Sequence, residues 1–327
     1  MKTKLLITGS TGFVGRQLVA HLREDPASDI RMLVRRLPEK APAPDDFVVV
    51  ADFAEIDALH PALKDIQVVV HLASRVHIMN DSDPDPLEAF RRVNVGHTLQ
   101  LARSAAAAGV KRFVFVSSVK VNGEGTAPGQ AYRESDTPAP ADPYGISKME
   151  AEEGLKTIAS QTGLQVVIIR PVLVYGPGVK ANFENMMKWL CKGVPLPFGS
   201  LNNKRSLVAL DNLVSFIKVC AEHPAAADQT FLISDGQDVS TTELLQRLGS
   251  ALHSPARLLP VPARLLALGA GLFGKNSLSQ RLCGSLQVDI HKARSLLGWQ
   301  PVVTVDEGLK KTADYFLNEI GRASCRE

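Results

Sequence analysis

The apolar positions of the first half fall into short unbroken runs separated by stretches of helical spacing. Residues 4–8, 29–34, 47–51, 68–72, 113–117 and 166–170 read as strands. Their Val, Ile and Leu residues follow one another without polar alternation, the pattern of strands covered on both faces. Residues 12–22, 87–108 and 142–160 carry helical spacing. Strands alternating with helices predict a parallel sheet with right-handed crossovers. The expected fold class is α/β, a doubly wound parallel sheet of Rossmann type.

After Pro171 the rhythm changes. Gly- and Pro-bearing loops become denser at 175–178, 193–200 and 234–236, and helical patterns dominate. Short strands are predicted at 206–208 and 230–233. We therefore expect a dinucleotide-binding domain over 1–170, which later segments can rejoin, and a smaller, mostly helical substrate lobe over 171–320. Residues 321–327 continue no pattern and read as a frayed or appended tail.

Composition narrows the class. The chain is 45% hydrophobic and 22% charged with a net charge of +3, an ordinary globular balance and too little positive charge for a nucleic-acid binder. Cys191, Cys220, Cys283 and Cys325 form no C-x-x-C pair and no His cluster accompanies them, so no metal is expected and the thiols read as free in a reducing compartment. The apolar run at 5–7 leads straight into glycines, so no signal peptide is expected and the location is read as cytoplasmic. Residues 258–273 are apolar but interrupted by Pro260, Pro262 and Arg264, and Arg257 precedes them. That stretch is too short to span a bilayer and is read as a helix packed in or on the fold, with a membrane-contacting helix as the lesser alternative.

Gly9, Gly12 and Gly15 directly follow the first strand and open the first helix. Glycines there permit a tight turn and let backbone N–H groups approach a pyrophosphate, to which the helix N-terminus adds partial positive charge. Thr11, Phe13 and Val14 belong to the same turn. The residue ending strand two selects the dinucleotide, because a carboxylate there holds a free ribose 2′-hydroxyl. Arg35 and Arg36 stand there instead, and they suit a 2′-phosphate unless they are simply solvated. NADP(H) is thus the favoured cofactor and NAD(H) the alternative. Asp52, with Phe53 beside it, either accepts from an adenine amino group or caps a turn.

Tyr144 and Lys148 lie four apart at the start of a predicted helix, so phenol and ammonium share one face. A cation there is expected to pull the phenol pKa down toward working pH, as acid–base catalysis requires. Ser118 ends strand five and can hydrogen-bond a substrate oxygen; Ser117 competes, since alternation sends only one of them to the site.

These residues, with the 71–74, 94–96, 170–177, 205–211 and 297–301 segments, resemble the extended short-chain dehydrogenase/reductases that act on nucleotide sugars, over nearly the whole length. The later segments resemble the UDP-glucose 4-epimerase branch. The resemblance implies that Leu72, Ala73, Ser74 and Pro171 pass beside the cofactor and that Asn94 steadies the central sheet. It implies that Asn182, Arg205 and, less closely matched, Arg281 face the diphosphate of a nucleotide-sugar substrate. A homodimer through the helices at 87–108 and 142–160 is implied too. The chain departs from the family at Ala209, where His is common, and at Arg35 and Arg36. The 74–79 and 119–123 stretches resemble a bacterial subset tied to polysaccharide N-acetylhexosamines.

Three reactions fit this machinery. A 4,6-dehydratase commonly carries Asp-Glu after its catalytic Ser or Thr, whereas the corresponding stretch here runs from Lys120 to Gly123, with Glu124 beyond, which disfavours it. The strand-two arginines favour net reduction: an NADPH-dependent 4-ketoreductase of a UDP-linked 4-keto-6-deoxy-N-acetylhexosamine for O-antigen synthesis. The alternative is an NAD-dependent UDP-sugar 4-epimerase. A dinucleotide-sensing regulator without turnover would lack the tyrosine or lysine, and both are present.

Overall fold

The computed structural model describes residues 2–38, 43–76, 85–272 and 282–324. The strands are β1 (Thr3–Thr8), β2 (Ser28–Val34), β3 (Phe47–Val49), β4 (Val68–His71), β5 (Arg112–Val116), β6 (Gln165–Pro171), β7 (Leu173–Tyr175), β8 (Arg205–Ala209), β9 (Thr230–Ile233) and β10 (Asp238–Val239). The α-helices are α1 (Phe13–Arg23), α2 (Pro86–Phe90), α3 (Thr98–Ala107), α4 (Pro143–Thr162), α5 (Asn182–Cys191), α6 (Leu210–Glu222), α7 (Thr241–Ala251), α8 (Ala263–Leu272), α9 (His291–Leu297) and α10 (Val305–Ser324).

Seven strands form one sheet in the order β3-β2-β1-β4-β5-β6-β9, every neighbouring pair parallel. Its unbroken apolar runs follow from two covered faces. Leu5 and Ile7 of β1 join Leu18 and Leu22 of α1 and Leu213 and Ile217 of α6 in one core. Leu6, from the same strand, joins Leu101 and Ala105 of α3 and Leu155 and Ile158 of α4 in the opposite core. Alternation along each strand thus feeds two apolar layers, so both parities must be apolar. The seventh strand comes from beyond residue 171: Thr230 and Ile233 pair with Ile168 and Pro171.

A third core holds Phe183 and Met187 of α5, Leu244 and Leu248 of α7, and Leu309 and Phe316 of α10. It packs on a small sheet, β10-β8-β7, with β7 parallel and β10 antiparallel to β8. β7 was not anticipated; Pro171 and Gly176 bracket it so closely that the segment reads as loop. The predicted 87–108 helix is instead three pieces, α2, a π-helical segment at Arg91–His97, and α3. α10 continues to Ser324, past the point where the pattern fades. Among the described residues, no helix is long and apolar enough to cross a membrane.

Candidate active site

A cleft of about 1370 Å³ opens over β1, β2 and β4. It lies where strand order reverses in the sheet, the place where open α/β sheets bind ligands. The turn after β1 forms its floor. Gly9 takes φ +69° and its α-carbon packs on the Leu72–Ala73 backbone, where an added Cβ would come 2.7 Å from the Ala73 nitrogen. A Cβ on Gly15 would overlap the Gly9 carbonyl oxygen and lie 2.7 Å from the Ser10 α-carbon. Gly12, the N-cap of α1, offers no side-chain cap, and the first turn carries no acidic residue. The helix therefore presents N–H groups and a positive dipole end that an anion can satisfy. Gly9, Thr11, Gly12, Phe13, Val14 and Gly15 all line the cleft. The bare backbone cradle and the positive helix end fit the diphosphate of a dinucleotide.

Arg35, Arg36, Asp52 and Phe53 line the far end of the cleft. Both arginines are exposed. Asp52 faces His97, with Nε2 to Oδ1 at 3.5 Å, and Phe53 stacks on the His97 ring at 5.4 Å. His97 also lines the cleft and was not anticipated, because it lies inside what reads as a helix interior. Leu72, Ala73, Ser74 and Pro171 line the middle. The backbone there is held by the Thr8 hydroxyl, which accepts from the Ala73 N–H at 3.1 Å and lies 2.8 Å from His71 Nδ1. Burial, with Lys148 and His97 nearby, pushes His71 down to about 3, so it acts as a neutral strut.

Tyr144 and Lys148 also line the cleft. The helix that carries them, α4, begins on an Asp142 cap that accepts from the Gly145 N–H at 2.7 Å, with Pro143 next to it. Ser118 and Ser74 lie near the phenol, where their hydroxyls oppose the rise of its pKa. Ser117, rather than Ser118, lines the cleft, but its hydroxyl is engaged in donating to Glu152 at 2.5 Å. Lys148 is buried; its ammonium donates to the Val116 carbonyl at 2.8 Å and sits 4.2 Å from the Phe115 ring centroid.

The electrostatics differ from the expectation. Burial pushes the Tyr144 phenol up to about 12, Ser74 and Ser118 oppose that, and Asp142 adds to it. Burial pushes Lys148 down to about 7, against the pull of Glu152. Burial thus dominates at both groups, disfavouring the charged form of each. The lysine is the member of the pair that yields a proton near neutrality.

Glu152 lies one further turn along the same helix face, a position the four-residue spacing marks but sequence reading passed over. It forms a buried pair with Arg170 at 2.6 Å, and Arg170 also donates to Asn122 at 3.0 Å. This network ties α4 to β6 beneath the lysine.

Asn94 does not line the cleft; it is 1% exposed. Its side chain accepts from the Arg75 N–H at 2.8 Å and donates to Ser147 at 3.0 Å. It therefore links the loop after β4 to α4, and does not hold a cofactor directly. Asn182 is exposed at the start of α5, and Arg205 donates to the Gly284 carbonyl at 3.1 Å; neither lines this cleft. Arg281 lies outside the described residues, as does the 77–79 part of the loop singled out above.

Comparison with known proteins bears on the reaction. A UDP-glucose 4-epimerase of Vibrio cholerae is 47% identical over 98% of each chain. A UDP-glucose 4-epimerase of Mycolicibacterium smegmatis is 30% identical over 97% of this chain and 99% of that one. The solved UDP-glucuronic acid 4-epimerase of Bacillus cereus, in complex with NAD, superposes with a TM-score of 0.75 at 21% identity, covering 97% of this chain and 99% of the other; it shares the fold. The expectation of an NADPH-consuming 4-ketoreductase is corrected by these findings, for both sequence relatives are 4-epimerases. Arg35 and Arg36 are exposed and line the cleft, a placement that does not by itself select between the two dinucleotides. The model of the NAD dependent epimerase/dehydratase family matches residues 5–234, more than half of the chain, and the chain belongs to that family.

Proposed function

We propose that this protein interconverts UDP-hexoses at C4, of the UDP-glucose/UDP-galactose type, with NAD retained through the cycle. The observation that carries the reading is the meeting of Tyr144 and Lys148 at the wall of the same cleft whose floor is the glycine turn, with Ser118 beside the phenol. The likeness at 47% identity to a 4-epimerase over 98% of each chain supports epimerisation over net reduction. When bound, NAD would take the C4 hydride and return it to the opposite face. Gly9, Gly12, Gly15 and the first turn of α1 would hold its diphosphate, with Asp52 and Phe53 near the adenine end.

The chain's own groups handle the oxygen. Ser118 hydrogen-bonds the C4 oxygen in both its alcohol and ketone forms. Tyr144 would accept the hydroxyl proton as phenolate while the hydride departs and, as phenol, donate it back in the reverse half. Burial holds the phenol protonated in the ligand-free protein, so forming the phenolate needs the positive charges of bound NAD and of protonated Lys148, which is buried against Val116 and Phe115. Asn182, Arg205 and Arg281 are assigned to the nucleotide diphosphate on the same reading. The enzyme is taken to be a cytoplasmic homodimer, with residues 1–170 as its cofactor-binding domain and 171–320 as its substrate lobe.

The test is direct. Purified protein given UDP-galactose, with no added cofactor, should form UDP-glucose, and mass analysis of denatured protein should find NAD. UDP-N-acetylglucosamine serves as the second substrate. Tyr144→Phe should lower turnover by about 10²–10⁴-fold with substrate binding retained. Stoichiometric NADPH consumption without interconversion would sink the proposal.

A further inference from the structure

Two stretches of the chain contain no carboxylate, one between Glu184 and Asp211 and the other between Glu243 and Asp289. The structure brings the two stretches side by side. Leu196 bridges to Leu258; its N–H donates to the Arg257 carbonyl at 2.9 Å, and its carbonyl accepts from the Leu259 N–H at 2.8 Å. A Cβ on Gly193 would lie 3.8 Å from the Arg257 guanidinium carbon.

The outward side of this junction is apolar and basic. Alternation turns Leu258 into the third core and leaves Arg257 and Leu259 outside. In α8, Leu265 and Leu268 are three apart and share a face. They are 59% and 67% exposed, among the most exposed large apolar side chains described. Trp189, near the end of α5, is 44% exposed. Lys192, Arg257 and Arg264 are exposed among them.

Exposed leucines and a tryptophan, on stretches that carry cations and no carboxylate, match the chemistry of an interfacial surface. A second copy of this chain fits poorly, because a two-fold contact would set cations against cations with no acidic partner. An anionic bilayer supplies both an apolar layer for the leucines and negative charge for the cations. We propose that this face docks the protein on the surface of an anionic lipid bilayer. The proposal does not depend on the sugar substrate. It takes up the lesser alternative for 258–273, a membrane-contacting helix, because the leucine faces are exposed rather than packed.

Vesicle flotation of the full chain tests it. Binding is expected to phosphatidylcholine vesicles containing phosphatidylglycerol, to weaken at high salt, and to be absent with phosphatidylcholine alone. Leu265→Glu with Leu268→Glu should cut the bound fraction about 10-fold or more, while UDP-galactose turnover in solution stays unchanged. Arg257→Ser with Arg264→Ser, which keeps the apolar face, should lower binding to anionic vesicles and reduce its salt dependence. Wild-type protein that ignores anionic vesicles, or a double-glutamate variant that binds as wild type, would overturn the proposal. So would a wild-type dimer that the double-glutamate substitution splits into monomers.

Discussion

Lys148 carries the sharpest consequence at the scale of single residues. Its ordinary pKa of 10.5 falls to about 7 in the folded, cofactor-free protein. Below about pH 7 the buried ammonium costs stability in full, since the unfolded chain solvates it. Between about 7 and 10.5 the unfolded state binds more protons, so stability rises with pH; above that range the cost is gone. Lys148→Met should therefore stabilise the cofactor-free protein by a few kcal/mol at pH 6, with the gain shrinking toward pH 10, as measured by denaturant unfolding. A gain that grows with pH would contradict the assignment. The same substitution should abolish turnover, which separates the electrostatic role from the structural one. Tyr144 and Lys148 were legible in the sequence because their spacing alone aligns them on a helix. The direction of their titration was not, because spacing carries the partner and omits the desolvation. Arg35 and Arg36 misled for a related reason: sequence displays their charge, and the charge alone does not establish what it binds.

At the scale of elements, the turn between β1 and α1 is where backbone geometry, rather than side chains, makes the site. Gly15→Ala places a methyl group on the Gly9 carbonyl, a backbone contact that cannot yield by rotamer change. Stability should fall by about 1–3 kcal/mol, and bound dinucleotide, read by absorbance after denaturation, should fall with it. A variant that keeps full cofactor content would show that the cradle is looser than the contact implies. The glycine spacing announced this turn, because few other reasons place three glycines between a strand and a helix. The π-helical segment at Arg91–His97 was hidden. Residues 87–108 keep helical spacing throughout, and nothing local marks the extra residue in a turn. Only contacts with the loop after β4 and with α4 turn Asn94 inward, where it bonds Arg75 and Ser147.

The whole molecule joins the cleft from segments far apart in sequence. Residues of the turn after β1 and of α1, β2, β4 and α4 line it, as do Pro171, Val174 and Leu213. A dinucleotide bound there bridges all of them, so ligand binding and folding are linked. Removing the NAD should lower Tm by about 5–10 °C, and adding it back should restore Tm in a dose-dependent way, followed by calorimetry. An unchanged Tm would argue that the cleft does not hold the cofactor. The sequence by itself determined the doubly wound sheet, the glycine turn and the tyrosine–lysine pair. Each depends on a short-range pattern: apolar runs set by two covered faces, a strand–turn–helix junction, and one helical repeat. Only the tertiary structure decided which serine meets the phenol, where β9 rejoins the sheet, and that Asn94 works through the loop rather than on the cleft wall. Those outcomes depend on contacts between segments far apart in the chain, and on which charges the packed protein removes from water.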